Sequence, residues 1–572
     1  MSTLRAPALG PIVGHTTHNS CRLWIAASDA IDKKGLDEEV RTIGLLGVVG
    51  KNGKVKPNDI FYFRLRREYD RTGTFNLGVD KSLWKDAAEE QRQEPFKLKA
   101  ATNYTVRMAS LNLDDAYPND SNVSSEAIAA KLPPARVWED KLNIEDGLGK
   151  VFAEATFTTQ PEPAQTAGQL SFLLGSCRYP GLLWKRKEAD RIFDPMLAQH
   201  EACPVNFALM VGDQIYADKF NRMIPIGLAD SYKEFQERYH SAFGSRNMRQ
   251  FLSRVPTYMI LDDHEIEDNW SQDRLNESNA KRMLFNLAIG AYMSYQWSHG
   301  PRFADSYVHD PAYSAEDYLK RMDTLNLFYD FSCVGYPFFV LDTRTQRYHA
   351  GRPGLADNHL LGRPALDINE PSQLDRVCAW LKYMQATRGN IPKFIVSSSV
   401  FVPNHVDTLY SDKHKEKDDS WPCFPETRKR ILKTIVEEKV QNVIFLSGDI
   451  HCSSVARLDF TGPGAALNAY SIVSSAFYWP FAFADGEPSS YVHDSRNAKT
   501  ADGFEIGEGL GTMNYQAWGF TQDDNFCRLD LDPAAAELAV QAFDWDGEPI
   551  LRSHQNGSRP DQPEKLKLTP WR

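Results

Sequence analysis

The chain has 572 residues, 42% of them hydrophobic and 25% charged, with a formal net charge of −11 from 65 basic and 76 acidic residues. This length exceeds the roughly 250–300 residues at which one core stops growing, so two domains are expected. The acidic sum argues against a nucleic-acid or anionic-membrane binder, yet leaves an anionic substrate open, because a bound di- or trivalent metal reverses the local field.

The first twenty residues, MSTLRAPALGPIVGHTTHNS, contain no apolar h-region of a signal peptide. No run approaches the roughly 20 apolar residues that span a bilayer. A soluble chain is expected, cytoplasmic as it stands, or periplasmic or secreted if a leader has been removed. The eight cysteines show no CxxC or framework spacing, which argues against a disulfide scaffold.

Residues 1–158 read as all-β, because SCRLWIAA, RTIGLLGVV, FYFRLRR and YTVRMASL alternate or run apolar between turn residues. Asn52-Gly53 predicts a hairpin with a type I′ turn. Leu98 and Tyr104 bracket a corner like the tyrosine corner of immunoglobulin and fibronectin III sandwiches. Insertions interrupt the pattern near 30–40 and 113–150, and a Pro/Gln/Ala linker spans 159–169. From 170 to 572 strands alternate with helical patterns at 185–200, 372–387 and 425–440, which predicts a layered α/β domain. The helical stretch 276–297, within an insertion around 270–330, is a candidate cap over the active face.

Four short apolar runs of that domain end on residues able to bind a metal: SFLLGSC at Cys177, FALMVGDQIY at Asp213 and Tyr216, TYMILDDHE at Asp262, Asp263 and His264, and NVIFLSGDIH at Asp449 and His451. Strand ends are where packed α/β sheets present rigid loops to a ligand. Asp449 and His451, two apart, reach one side of an extended segment. Asp213 and Tyr216, three apart, converge if a helical turn begins there. Thiolate, phenolate, carboxylate and imidazole together suit iron better than zinc or magnesium. The remaining carboxylates suit a hard ion such as Ca²⁺, Mg²⁺ or Mn²⁺, with Asp213 as bridge. His264 lies where it would bind the substrate anion or protonate a leaving oxygen. Asp262 reads either as a ligand or as the cap of a turn. Asp342 and Arg344 read as a buried structural pair, and 411–419 as a solvated loop. Trp270 and Trp297 read as a substrate grip or as core.

In chain order, GSC, GDQIYAD, DDHE, LDTR, SQL and GDIH after a β-sandwich resemble the PhoD-type alkaline phosphatases, within the calcineurin-like metallophosphoesterases. The resemblance runs from about residue 8 to 550. It implies a four-layer α/β sandwich core behind an immunoglobulin/fibronectin III-like β-sandwich. It also implies Fe³⁺ held by Cys177, Asp213, Tyr216 and His451, and one or two Ca²⁺ near Asp213, Asp263 and Asp449. Asp262 and Asn269 are candidates for a second calcium or its surroundings, and Mg²⁺ or Mn²⁺ are alternatives. Arg178 is read as a phosphate clamp from its charge and place, and Asn269 also as a substrate contact beside His264.

The expected activity is hydrolysis of phosphodiesters, phosphomonoesters or both, by attack of a metal-bridging hydroxide. The substrate is then a small phosphate ester or a phospholipid, with no nucleic-acid partner. A phospholipase D-like diesterase is the alternative enzyme. A binding protein with a degenerate metal site is the alternative class, opposed by the presence of every expected ligand type. Oligomeric state is left open.

Overall fold

The computed structural model describes residues 2–27, 42–66, 69–83, 94–113, 125–144, 149–163, 167–181, 187–218, 227–301, 326–349, 357–362, 371–405, 420–481, 490–497, 503–550 and 562–571. The insertion at 30–40 and the stretch 411–419 lie outside them, as does most of 302–330. The architecture is mixed α/β, with several sheets.

Two antiparallel sheets come from the N-terminal strands. One joins Thr3–Arg5, Asn103–Asn112, Thr42–Val49 and Val55–Arg64, with Ala153–Thr158 paired to Asn103–Asn112. The other joins Leu9–Thr16, Cys21–Ala26 and Thr72–Leu77. Their alternating apolar residues meet in one core containing Val13, Leu23, Phe61, Phe75, Val106 and Met108. The Tyr104 hydroxyl accepts the Lys99 N–H at 2.8 Å, folding the chain back at the expected corner. The hairpin at Asn52-Gly53 forms, but not through a type I′ turn. Only Gly53 takes a positive φ, 76°, and Gly50 and Lys54 close a three-residue loop at 2.9 Å. That is a type I turn followed by a glycine in the left-handed region, the usual solution for three-residue loops.

Two larger sheets carry the rest. The first runs Thr257–Met259, Phe207–Met210, Leu170–Gly175, Asn525–Asp532, Glu537–Asp544 and Glu564–Lys567, and its first three strands are parallel. The second has eight strands among the described residues, of which Tyr336–Val340, Lys393–Val396, Val443–Ser447 and Ala469–Val473 run parallel to one another in that order. Phe172, Leu174 and Phe207 of the first sheet share a core with Phe338, Phe394 and Leu446 of the second. Near-continuous apolar strands are what burial on both faces requires.

Helices Phe193–Ala202, Tyr232–Phe243, Arg246–Leu252 and Asn279–Tyr295 pack on the outer face of the first sheet. Gln373–Arg388 and Pro425–Glu437 pack on that of the second. Ser372 caps Gln373–Arg388 in a capping box with Asp375, as its type and position predict. The helix expected at 185–200 is two pieces, Glu188–Arg191 and Phe193–Ala202, with 182–186 outside the described residues. Helix Asn279–Tyr295 joins the N-terminal sheets to the core: the Trp24 indole N–H donates to Ser294 O at 2.8 Å. Trp270 and Trp297 are fully buried in that same core. Because the central strands are parallel, their C-terminal ends open on one edge, which places the four sequence clusters together.

Candidate metal centre

The site is built from turns rather than from regular structure. Cys177, Asp213, Asp449 and His451 all adopt positive φ, between 50° and 73°. Each such non-glycine residue costs on the order of 1–3 kcal/mol, a strain that clusters at functional sites. Asp449 and His451 do not follow an extended segment: His451 N–H donates to Asp449 O at 3.0 Å in a tight turn, and the two side chains enter different ligand groups. Asp213 and Tyr216 meet through a bend and not a helical turn. Gly212 permits it at φ 101°, because a Cβ there would lie 2.4 Å from that of Asp262.

Cys177, Asp213 and His451 bring one ligand atom each within 4.8 Å of one another. The Cys177 Sγ is 3.4 Å from Asp213 Oδ2. The Tyr216 hydroxyl is 3.4 Å from both Asp213 Oδ2 and His451 Nε2. Asp213, Asp263 and His264 form a second such group, and Asp262, Asp263 and Asp449 a third. Asn269 N–H donates to Asp263 Oδ2 at 2.6 Å, and Asn269 itself sits at φ 53°.

The electrostatics of the cluster favour a cation among its donors. Burial, followed by the repulsion of Asp213 and Asp449, pushes the Cys177 thiol well up. Burial, then Asp213 and Cys177, does the same to Tyr216. Burial and neighbouring carboxylates also raise Asp213 and Asp449 far above the ordinary carboxylate range. A cation among these donors would favour their anionic forms. Asp262 Oδ2 and Asp263 Oδ1 are buried without a hydrogen-bond partner. Hard carboxylates, a thiol, a phenol and an imidazole thus fit a multinuclear metal centre on geometry and on charge. Burial, reinforced by His264, holds His451 neutral down to about 3, the form that ligates.

His264 is a different case. Burial opposes its charge, but Asp218, Asp263 and Asp213 outweigh burial and raise it well above the usual imidazole range. Its Nδ1 lies 2.6 Å from Asp218 Oδ1, and the other Asp218 oxygen accepts Asp268 N–H at 2.7 Å. The ring stacks on Tyr216 with centroids 4.2 Å apart. Asp218 therefore fixes the ring and leaves Nε2 as the proton-bearing edge available to a ligand.

Asp218 and Glu265 carry roles that sequence reasoning did not assign, although both stand inside the quoted motifs GDQIYAD and DDHE. Glu265 accepts the backbone N–H groups of Asp213 at 3.1 Å, Gln214 at 2.6 Å and Asp262 at 2.9 Å, tying two strand ends together. Arg344 was read as half of a structural pair with Asp342, and this is corrected. Asp342 caps its own turn through the N–H groups of Arg344 and Thr345. The Arg344 guanidinium instead bonds Asp262 and reaches Asp263 at 3.4 Å and Asp449 at 3.9 Å. Only the tertiary fold brings LDTR opposite DDHE. Arg178 turns elsewhere: its Nη2 donates to Ser245 Oγ at 3.2 Å and its guanidinium lies over the Phe193 ring.

Aromatic rings border the cluster. Trp479 stacks on His451 with centroids 3.6 Å apart, and Tyr179, Trp479 and Phe481 contact one another at 5.0–5.6 Å. Phe481 is exposed.

A model of the family described as PhoD-like phosphatase matches residues 184–519. The alkaline phosphatase D of Bacillus subtilis (strain 168) is 23% identical over 310 residues, 52% of this chain and 49% of the relative. The chain thus spans about half the length of that curated relative. A solved structure of PhoD superposes with a TM-score of 0.58 at 15% identity, covering 99% of this chain and 94% of that one, a likeness of fold.

Proposed function

This chain belongs to the PhoD-like phosphatase family, and from that premise we propose that it is a metal-dependent phosphoesterase hydrolysing phosphodiesters, phosphomonoesters or both. The observation that carries this reading is the convergence of Cys177, Asp213 and His451 within 4.8 Å, with the Tyr216 hydroxyl beside them. These four would hold Fe³⁺. Asp263 and Asp449, with Asp213 shared, would hold Ca²⁺ or another hard divalent ion. When bound, the ions supply Lewis-acid charge that acidifies water and neutralises phosphoryl oxygens. His264, oriented by Asp218, holds the proton that the leaving oxygen needs and pairs with the substrate anion until then. Glu265 keeps the strand ends in register. Arg178, tied to Ser245, is not assigned a substrate contact. The N-terminal strands, residues 1–158, are read as an immunoglobulin/fibronectin III-like sandwich, and 170–572 as the catalytic domain after a linker at 159–169.

A phospholipase D-like activity is the second reading, favoured by the aromatic border at Tyr179, Trp479 and the exposed Phe481. Release of choline from phosphatidylcholine vesicles tests it. The primary reading is tested by elemental analysis with a visible spectrum: iron with a tyrosinate charge-transfer band is expected, lost in Tyr216→Phe. An iron-free, colourless protein that hydrolyses bis(p-nitrophenyl) phosphate at full rate would overturn the iron assignment. Unaltered hydrolysis by Asp213→Asn would overturn the site.

A further inference from the structure

The acidic side of the centre already contains a cation. Arg344 follows the strand Tyr336–Val340 and is completely buried. Its Nε donates to Asp262 Oδ1, and its Nη2 lies 3.4 Å from Asp263 Oδ1 and 3.9 Å from Asp449 Oδ2. The same three carboxylates offer oxygens within 4.8 Å of one another. Taken alone they would form a pocket for a divalent ion. With the guanidinium inside it, a second ion would face a fixed positive charge across a buried, poorly screened gap.

The other side of Asp262 packs against the neighbouring strand end. Its side chain lies against Gly212, where a Cβ would meet Asp262 Cβ at 2.4 Å and Oδ2 at 3.0 Å. Its backbone N–H donates to Glu265 Oε2 at 2.9 Å, which fixes the residue at the start of the turn Asp263–Glu265. One oxygen faces Arg344 and the other faces the backbone of the neighbouring strand end. A guanidinium keeps its charge at any working pH, so the compensation is permanent and independent of metal supply.

We propose that Arg344 is a resident counter-ion that withdraws Asp262 from the ligand set, so that the acidic side binds one divalent ion and not two. The inference rests on the metal-centre reading above. It makes Arg344 a positioning residue that sets metal stoichiometry and holds Asp263 and Asp449 toward the remaining ion. A second hard ion is replaced by a side chain, which removes one ion from the centre's dependence on calcium.

The experiment is a metal count on the full chain, with folding checked by circular dichroism. Chelator-treated protein is dialysed to equilibrium against Ca²⁺ and analysed for iron and calcium. The expected result is one Ca²⁺ per wild-type chain and the same number for Asp262→Asn, whose amide keeps the shape of the carboxylate. Arg344→Met is expected to take up one additional Ca²⁺, and adding Asp262→Asn to it should remove that ion again. Two Ca²⁺ per wild-type chain, or loss of a Ca²⁺ from Asp262→Asn, would overturn the proposal while leaving the metal-centre reading intact. If Arg344→Met fails to fold, the wild-type and Asp262→Asn counts still decide. Wild-type protein that binds no metal at all would overturn both readings together.

Discussion

Two regions of this molecule bury titratable groups, and they resolve the cost in opposite ways. At the strand ends, Cys177, Asp213, Tyr216 and Asp449 are driven toward their neutral forms by burial and by one another. At the joint between the N-terminal sheets and the core, burial holds His15 neutral to about 4, reinforced by Arg22, and His299 neutral to about 3. The His15 Nδ1 meets the Tyr258 hydroxyl at 3.1 Å, and His299 packs against Gly14. Desolvation acts on both regions. The acids are concentrated around a space that a cation can complete, while the imidazoles are dispersed in a packed seam that must stay uncharged. The first arrangement stores the capacity to bind; the second stores stability.

The contrast predicts that changes at the strand ends alter chemistry and changes at the joint alter stability. The largest effect is expected from Asp213→Asn, which removes the carboxylate common to two ligand groups. Hydrolysis should fall on the order of 10³-fold or more while the far-UV spectrum is retained. His264→Gln comes next, with a loss in kcat of about 10²–10³-fold, and Asp218→Asn follows at about 10-fold, since it disturbs only the orientation of the ring. Steady-state kinetics on an activated aryl diester should show a smaller deficit for both, because a good leaving group needs less protonation. Equal deficits on activated and unactivated esters would break the general-acid assignment.

At the joint, Gly14→Ala should destabilise the fold by about 1–3 kcal/mol through overpacking, since the new Cβ would fall 2.1 Å from His299 O. Urea unfolding should register the change, and kcat of the remaining folded enzyme should not. The smallest effect is the acid limb of stability. Unfolded histidine takes up a proton below about 6.5, whereas folded His15 does so only near 4. The unfolded state therefore binds more protons in this window. The contribution is fully present above about pH 6.5 and fades on acidification toward 4. His15→Gln should flatten that limb in urea titrations between pH 7 and 4.5. An unchanged slope would remove His15 from the comparison.

How much of this was legible in the residues varies with the reach of the interaction. Helix Gln373–Arg388 was readable because Ser372 and Asp375 make its cap within four residues. The hairpin at Gly53 was readable, though its turn type was not, because register across the pair and not the dipeptide sets the loop length. Cys177, Asp213, Asp263, Asp449 and His451 could be grouped because each closes an apolar run, and parallel strands end on a common edge. The local geometry departs from the extended segment expected at Asp449–His451. Left-handed backbone in non-glycine residues is imposed by tertiary packing against intrinsic preference.

By itself, then, the order of residues along the chain determined the kind of chemistry: which donors exist, where strands stop, and which side chains stand at those stops. These are local properties, written in apolar runs and the residues that terminate them. Only the tertiary structure decided who faces whom. Arg344 and Asp262 are 82 residues apart, and nothing in either motif points to the other. Asp218 orients His264 across 46 residues, and the Arg178 guanidinium turns to Ser245. Charge pairing acts through space at a few ångströms, so its partners are fixed only when neighbouring strand ends pack and, for Arg344 and Asp262, when the two large sheets close on each other.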